Sequence, residues 1–322
     1  MIAVELSARL ASLAVKTETG RIESSPSYSI RYQRWRPAQP VGSLLLIQGR
    51  GGYLEKYQPT IIQLLQRNLE VVSFEWRGQG LSDRLIPGSE AGHINDFADY
   101  VEDLERIVSE LFAPDRDDPV HDRRYLLAHS MGAHVLLRWL AADHPDGGGF
   151  RQAWLTATLI KPNTSPYPRW VARLLSQCFC LIGKDKDYVF GGGPFDAKSF
   201  EQVVFSDLNS NAEQVTYELQ CLLDNPGLRL GSATFGWLNQ LFRSMAWLQT
   251  PGCLERITLP ITQFLAGDEQ VVDNLAAQRL QGRLQQGRLI EVPHSKHDLL
   301  LERGAVNAPL WAEIDRALKA DP

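Results

Sequence analysis

Short apolar runs alternate with segments of helical periodicity over most of the chain. Apolar side chains recur every three or four residues in 57–67 and 96–112, which predicts two amphipathic helices, the second capped by Asn95. Apolar, branched runs predict β-strands at 41–48, 69–76, 125–128, 154–160, 261–266 and 288–292. Further helices are predicted at 131–142, at 273–283 and around residues 311–318. Strands that alternate with helices indicate a mostly parallel sheet covered by helices.

The alternation stops in a central segment, residues 162–255. This segment contains several prolines, a run of three glycines at 191–193 and scattered aromatic side chains. Its clearest helix is predicted at 211–223, opened by a capping box that Ser210 and Glu213 would form. We therefore expect a helical cap, residues 162–255, inserted into an α/β core.

The core is then expected in two parts, residues 1–161 and residues 256–322. Near its start, Ile2, Leu6, Leu10 and Leu13 share one face of a predicted short helix. We expect this helix to pack on the body of the protein, and the alternative is a membrane-surface anchor. The predicted fold class is α/β, with a mostly parallel central sheet flanked by helices.

Composition adds mainly exclusions. The 322 residues include 33 Lys and Arg against 38 Asp and Glu, a net charge of −5. No nucleic-acid partner is expected, because binding a phosphate backbone needs clustered basic residues. The hydrophobic fraction of 44% is that of a globular protein. No apolar stretch reaches the ~18–20 residues that span a bilayer, and the N-terminus lacks the basic region of a signal peptide.

The four cysteines bear on the cellular location. Cys178, Cys180, Cys221 and Cys253 lack the paired spacing of a zinc or thioredoxin site, so we interpret them as buried or semi-exposed free thiols. Free thiols fit a reducing compartment. We expect a cytoplasmic protein whose contact with the inner face of the membrane is at most transient.

The strongest chemical signal is a serine in a tight turn between a strand and a helix. The sequence Ala128-His129-Ser130-Met131-Gly132 places Ser130 directly between a predicted strand and a predicted helix. A strained turn of this kind raises a serine above the sheet edge, and it needs small residues two positions before and after the serine. Ala128 and Gly132 meet that need, so Ser130 is the candidate nucleophile.

An activated serine needs a histidine base. On this kind of sheet the chain order is serine, acid, histidine, and only His294 and His297 follow a late strand. His297 stands at a polar step into an apolar segment, where a loop histidine can reach over the sheet edge. His297 is therefore the candidate base, and His294 is the reserve.

The acid and the oxyanion donors are expected in two further turns. Asp268 and Glu269 are adjacent just after the penultimate strand, and alternation alone does not decide which carboxylate faces the histidine. A tetrahedral intermediate carries an oxyanion that needs two N–H donors. We expect these to be the backbone amides of Met131, which follows the serine, and of Arg50, in the turn after an early strand.

Neither a metal nor an organic cofactor is expected. No carboxylate or cysteine cluster completes a metal site with the two late histidines. The glycine turns at 49–52 and 78–80 lack the third glycine of a dinucleotide-binding motif and the lysine of a phosphate-binding loop.

Taken together, these segments resemble the α/β-hydrolase superfamily, and within it the bacterial lysophospholipase and monoacylglycerol lipase group. The resemblance extends over nearly the whole chain. The matching segments are Gln48-Gly49-Arg50, Arg77-Gly78-Gln79-Gly80-Leu81-Ser82 with Gly92-His93, Ala128-His129-Ser130-Met131-Gly132, Val271-Val272-Asp273-Asn274 and His297-Asp298-Leu299-Leu300-Leu301-Glu302.

The resemblance implies an α/β-hydrolase fold with an inserted cap and assigns roles to residues. The family's nucleophile falls on Ser130, its base on His297 and its acid on Glu269, with Asp268 as the alternative if the turn is shifted by one residue. Gln48 stands where relatives more often have histidine, so no side-chain role is carried over to it.

The implied activity is hydrolysis of a carboxylic ester with one fatty-acyl chain, through an acyl-enzyme on the serine. The substrate partner would be a lysophospholipid or a monoacylglycerol. Alternatives are a serine hydrolase for a small soluble ester, thioester or amide, an acyltransferase, and a non-catalytic binding protein. Candidate residues for an acyl channel in the cap are Trp170, Phe179, Phe190, Phe205, Tyr217, Phe235 and Trp237.

Overall fold

The computed structural model describes residues 2–25, 28–112 and 119–320. Eight strands of these residues form one sheet, in the order β1-β2-β4-β3-β5-β6-β7-β8. The first two strands pair antiparallel, and the remaining six run parallel to one another. The strands are β1 Lys16–Ser25, β2 Tyr28–Arg36, β3 Gly42–Ile47, β4 Leu69–Phe74, β5 Arg124–His129, β6 Gln152–Thr156, β7 Ile261–Ala266 and β8 Gly287–Val292.

The central strands are buried on both faces of the sheet. All six residues of β3 and of β4 are buried, as parallel sheets covered on both sides require. Successive side chains point to opposite faces, so Leu45 and Ile47 enter one core cluster while Leu44 and Leu46 enter another. The carboxyl ends of the parallel strands therefore form one well-supported edge.

Helices cover both faces of this sheet. Side chains of α3, α4 and α9 pack in the first core cluster, and those of α2 and α10 pack in the second. The helices are α1 Ile2–Ser12, α2 Gln58–Leu65, α3 Ala98–Leu111, α4 Met131–Ala142, α5 Arg169–Leu181, α6 Ala197–Val203, α7 Ala212–Asp224, α8 Phe235–Leu248, α9 Asn274–Gln281 and α10 Ala308–Ala320. Within the described ranges, none of them is long and apolar enough to cross a membrane.

Four helices, α5 to α8, lie between β6 and β7. Helix α5 packs along α8, and Tyr217 of α7 packs against Leu6 of α1 and Ile62 of α2. The predicted α/β class, with a mostly parallel central sheet flanked by helices, is thus confirmed. The division into residues 1–161, 162–255 and 256–322 stays a prediction.

Two predictions of local structure were wrong. The helix predicted at 211–223 begins at Ala212 without a capping box, because the Ser210 hydroxyl donates its hydrogen bond to Glu302 instead. The helix predicted at 96–112 begins at Ala98, with Phe97 at the N-cap position, while the Asn95 side chain contacts His93. Each side chain has a tertiary partner that outweighs its local capping tendency.

The sequence pattern also missed the hairpin formed by β1 and β2. Strand β1 is rich in polar side chains that face solvent, so it lacks the apolar alternation of a half-buried strand. Strand β2 does alternate, with Ile30 and Tyr32 buried and Arg31 between them partly exposed. That alternation was the available signal.

Candidate active site

Ser130 occupies the turn between β5 and α4. Its backbone has φ 51° and ψ −114°, a conformation that a non-glycine residue rarely adopts. The turn is held because its neighbours are small: a Cβ added to Gly132 would lie 2.4 Å from the Gln48 carbonyl oxygen, and Ala128 is fully buried. The sequence thus forces a strained turn that presents the Ser130 hydroxyl at the edge of the sheet.

His297 connects this serine to a carboxylate. Its Nε2 lies 2.9 Å from the Ser130 Oγ, and its Nδ1 lies 2.9 Å from Oε2 and 3.0 Å from Oε1 of Glu269. The side chains of His297 and Glu269 are only 5% and 2% exposed. A histidine placed this way can accept the serine proton at Nε2 while the carboxylate holds its other nitrogen protonated.

The surroundings of Glu269 favour its ionised form. Burial alone would raise the pKa of this carboxyl, but the hydrogen bond and charge of His297 outweigh that effect and lower the pKa below its ordinary value. The backbone amides of Val271 and Val272 also donate to Glu269 Oε1. Both effects keep a negative charge beside the histidine ring.

The structure brings Glu269, and not the alternative Asp268, to the histidine. The Asp268 side chain is exposed, although it is adjacent in sequence, since the turn after β7 directs only the second carboxylate inward. The reserve base His294 lies on the surface as well, with a positive φ of 60°. The sequence could not decide between the two carboxylates, because side-chain directions in an irregular turn follow no regular alternation.

The two predicted oxyanion donors flank Ser130. Met131 is the first residue of α4, and the first amides of a helix have no partner within it. The turn that contains Arg50 touches the nucleophile, because a Cβ added to Gly49 would come within 3.3 Å of the Ser130 Cβ. The Gln48 side chain turns away and donates to the Ser73 hydroxyl.

A buried charge cluster beside the site was missed by sequence reasoning. Lys56 Nζ lies 2.8 Å from Asp298 Oδ2 and 3.3 Å from Glu218 Oε2, and Asp298 Oδ1 lies 3.0 Å from His129 Nε2. Burial alone would raise the pKa of the Asp298 carboxyl, but the Lys56 ammonium and His129 hold it below its usual range. These residues are far apart in sequence, and only Asp298, which follows the candidate base, offered a hint.

A cavity of about 480 Å³ opens onto Ser130 and His297. Most of its wall is apolar, and it includes residues of α5 and α8 as well as the loop after β6. The apolar lining residues include Leu159, Leu175, Phe190, Phe235, Trp237, Leu238, Leu241 and Val271. Such a wall suits a hydrocarbon chain better than a polar group.

Three of the seven aromatic residues predicted for the channel line this cavity: Phe190, Phe235 and Trp237. Phe179 stacks behind Phe235 with its ring centroid 4.0 Å away. The prediction was wrong for the other three. Trp170 and Phe205 are exposed, and Tyr217 donates its hydroxyl to the Glu55 carbonyl oxygen beside α2.

The structure also locates the other groups considered from the sequence. Across the part of the chain that the structure describes, no three His, Cys, Asp or Glu side chains are grouped so that they could hold a metal ion. All four cysteines are free thiols. Cys178 is exposed rather than semi-exposed, and the other three are partly buried.

Sequence comparison finds a family and several relatives. Residues 38–304 match the model of the hydrolase family described as serine aminopeptidase, S33. A probable lysophospholipase L2 of Haemophilus influenzae is 25% identical over 276 residues, which cover 85% of this chain and 83% of that protein. Lysophospholipase L2 of Escherichia coli K12 is 27% identical over 295 residues, 89% of this chain and 83% of that protein.

Solved structures agree on the fold. A soluble variant of monoglyceride lipase from Saccharomyces cerevisiae, in complex with a substrate analogue, has a TM-score of 0.74 at 15% identity and covers 95% of this chain and 96% of its own. Monoacylglycerol lipase from Paleococcus ferrophilus has a TM-score of 0.65 at 16% identity, covering 95% and 100%. Both superpose over nearly their full length, so 95% of this chain shares their fold.

Proposed function

Because the chain belongs to the serine aminopeptidase S33 family of α/β-hydrolases and is an esterase- or lipase-type hydrolase, we propose that it hydrolyses single-chain lipid esters. The substrate would be a lysophospholipid or a monoacylglycerol, the compounds for which its relatives are named. The observation that supports this most directly is the hydrogen-bonded series Ser130–His297–Glu269 at the wall of an apolar cavity.

In the proposed reaction the Ser130 Oγ attacks the acyl carbonyl carbon while its proton passes to His297 Nε2. Collapse of the tetrahedral intermediate breaks the bond between the acyl carbon and the head-group oxygen. The head-group alcohol leaves with the proton from His297, and an acyl-serine remains on the enzyme. A water then attacks the acyl carbon and gives a proton to His297 Nε2. Collapse of this second intermediate breaks the bond to Ser130 Oγ, which takes the proton back from His297, and the fatty acid is released. Glu269 keeps the imidazole oriented and stabilises its cationic form.

The negative charge of the intermediate would be held by the backbone amides of Met131 and Arg50. The position of Met131 at the start of α4, where a backbone amide has no partner within the helix, and the close approach of the Gly49 turn support this assignment. Such donors strengthen their hydrogen bonds as the carbonyl oxygen becomes negative, and removing one typically costs about 10²- to 10³-fold in kcat.

The apolar cavity supports a preference for long acyl chains. Each methylene that leaves water for an apolar wall contributes about 0.8 kcal/mol, so kcat/KM should rise with chain length until the cavity is filled. A series of p-nitrophenyl esters from acetyl to palmitoyl measures this. A preference for acetyl, or for an amino-acid amide over every long-chain ester, would contradict a lipid substrate.

We also propose that the outer face of α5 contacts a lipid surface transiently. Trp170, Leu174 and Leu181 of α5, and Ile182 directly after it, expose 70%, 52%, 86% and 65% of their surface, and Leu175 of the same helix lines the cavity. Sedimentation with phospholipid vesicles tests this with the double variant Leu181→Ser and Ile182→Ser. Leu275→Ser, on exposed Leu275 of α9, is the matched control. Unchanged vesicle binding in the double variant would contradict the contact, and the cytoplasmic location stays a prediction.

A further inference from the structure

The side chain of Arg50 is a cation in the wall of the active-site cavity. Its guanidinium stands over the Trp237 ring, 5.3 Å from the centroid, and Trp237 also lines the cavity. One of its donors, Nη2, lies 2.8 Å from the Gly231 carbonyl oxygen. Nε is buried and has no hydrogen-bond partner. Of the five N–H donors of a guanidinium, the structure therefore shows one in a hydrogen bond to the protein and one, at Nε, without a partner.

The charge of Arg50 is not neutralised by the protein. Among the residues that the structure describes, no ion pair joins it to a carboxylate, and the ionisable side chains that influence its pKa are the phenols of Tyr100 and Tyr188. Burial lowers the pKa of the guanidinium to about 10, which leaves it protonated at neutral pH. A half-buried cation without a counter-ion is costly unless a bound anion supplies one.

The other permanent cation of the cavity differs in this respect. Among the described residues that line the cavity, Arg50 and Lys56 are the only ones of the Lys or Arg type. Lys56 contacts the carboxylates of Asp298 and Glu218, so its charge is already compensated. A negatively charged group that enters the cavity therefore meets one unpaired cation, at Arg50.

We propose that the Arg50 guanidinium binds the phosphate of the substrate head group and so makes the enzyme select lysophospholipids over monoacylglycerols. This inference rests on the proposed function. A planar guanidinium fork suits phosphate oxygens, with which it forms paired, charge-assisted hydrogen bonds.

The covalent geometry supports this assignment. The Arg50 amide is proposed to hold the oxyanion, which fixes the ester next to the Arg50 backbone. From Cα to Cζ, an arginine side chain spans as many bonds as separate the ester oxygen from the phosphorus of a 1-acyl lysophospholipid. The same residue can therefore hold the ester carbonyl with its amide and the phosphate with its side chain.

The test is a ratio of two activities on substrates with the same acyl chain. Release of fatty acid is measured from 1-acyl lysophosphatidylcholine and from the matching monoacylglycerol, for the wild type, Arg50→Met and Arg50→Lys. Arg138→Met is the matched control, because the Arg138 guanidinium also stands over a tryptophan, 4.9 Å from the Trp247 centroid, but does not line the cavity.

In Arg50→Met we expect the ratio of kcat/KM for lysophospholipid to that for monoacylglycerol to fall about 10- to 100-fold, the effect of one lost charge-assisted hydrogen-bond pair. Arg50→Lys should retain part of the preference, and Arg138→Met should keep the wild-type ratio. If the variant also disturbs ester cleavage itself, both kcat/KM values fall together, and their ratio still reports on the head group.

Each other outcome has a definite meaning. If the wild type cleaves both lipids and Arg50→Met leaves their ratio unchanged, the phosphate assignment is overturned while the lipid-esterase function stands. If the wild type cleaves neither, the proposed function fails. If inorganic phosphate stimulates monoacylglycerol cleavage by the wild type but not by Arg50→Met, Arg50 holds a free anion, which overturns the head-group assignment.

Discussion

His129 Nε2 lies 3.0 Å from Asp298 Oδ1. This hydrogen bond joins the residue before the candidate nucleophile Ser130 to the residue after the candidate base His297. The other Asp298 oxygen accepts from Lys56, which also contacts Glu218 of α7. One buried set of charges therefore connects the Ser130 turn, the His297 loop and a helix of the 162–255 segment. We expect this set to fix the distance between serine and histidine.

Lys56→Met should strongly destabilise the protein. It leaves the carboxylates of Asp298 and Glu218 buried without their cation, a loss typical of broken buried ion pairs, about 3–5 kcal/mol in the free energy of unfolding. Urea unfolding measures this. As the control, Arg169→Met removes a partly exposed ion pair with Asp273 and should cost at most about 1 kcal/mol. Equal losses in the two variants would contradict a structural role for the cluster.

Glu269→Gln should lower kcat by about 10³- to 10⁴-fold, because an amide cannot hold His297 in the reactive tautomer or stabilise its cation. Asp268→Asn changes an exposed side chain one position away and should leave kcat within about twofold, as surface substitutions usually do. Steady-state kinetics on a p-nitrophenyl ester compares them. A larger loss in Asp268→Asn would mean that the turn after β7 presents the other carboxylate.

Gly49→Ala should reduce kcat more than it reduces stability. The added Cβ would lie 2.8 Å from the His129 ring and 3.3 Å from the Ser130 Cβ, so the nucleophile or the oxyanion turn must shift. Small displacements of reacting groups can cost about 10²-fold in rate. Gly304→Ala, whose Cβ would meet nothing within 4 Å, is the control. Wild-type kcat in Gly49→Ala would show that this close approach is not needed.

The stability of the protein should fall as the pH drops below about 6.5. Buried His134 hydrogen-bonds the Ser244 hydroxyl, and burial followed by the nearby charge of Arg138 lowers its pKa to about 3. Below about pH 6.5 the histidine binds a proton in the unfolded chain but stays neutral in the folded protein. Each further pH unit therefore lowers the free energy of unfolding by up to about 1.4 kcal/mol.

The variant His134→Leu isolates this contribution. It removes the titrating ring while the Ser244 hydroxyl keeps its hydrogen bond from Arg138. Urea unfolding at pH 7 and pH 5 should show a smaller loss on acidification in the variant than in the wild type. The two proteins differ only at residue 134, so an identical loss would contradict a neutral, buried His134.

Several features of the fold and the site followed directly from the sequence. Apolar runs of β3, β5 and β7 identify buried strands because both faces of the sheet are covered, and the requirement for small residues locates Ser130 in its turn. Chain order limits the base to His294 and His297, because the carboxyl ends of parallel strands meet at one edge, and the polar step into an apolar segment favours His297. These inferences use only local sequence patterns and the order of segments along the chain, both of which can be read from the sequence.

Other features depend on contacts between distant parts of the chain. The choice between Asp268 and Glu269 depends on the path of an irregular turn, and Ser210 loses its capping role to Glu302, which lies far along the sequence. The pairing of Lys56 with Asp298 spans 242 positions. No periodicity records such partners, so the charge cluster and the unpaired Arg50 emerged only from the structure.

The most direct test of the central claim is release of free fatty acid from a long-chain lysophospholipid by the wild type and by Ser130→Ala. We predict turnover by the wild type and a loss of about 10⁴-fold or more in Ser130→Ala, with an unchanged unfolding transition. No fatty acid from the wild type, or release that persists in a folded Ser130→Ala, would contradict a serine hydrolase of single-chain lipid esters.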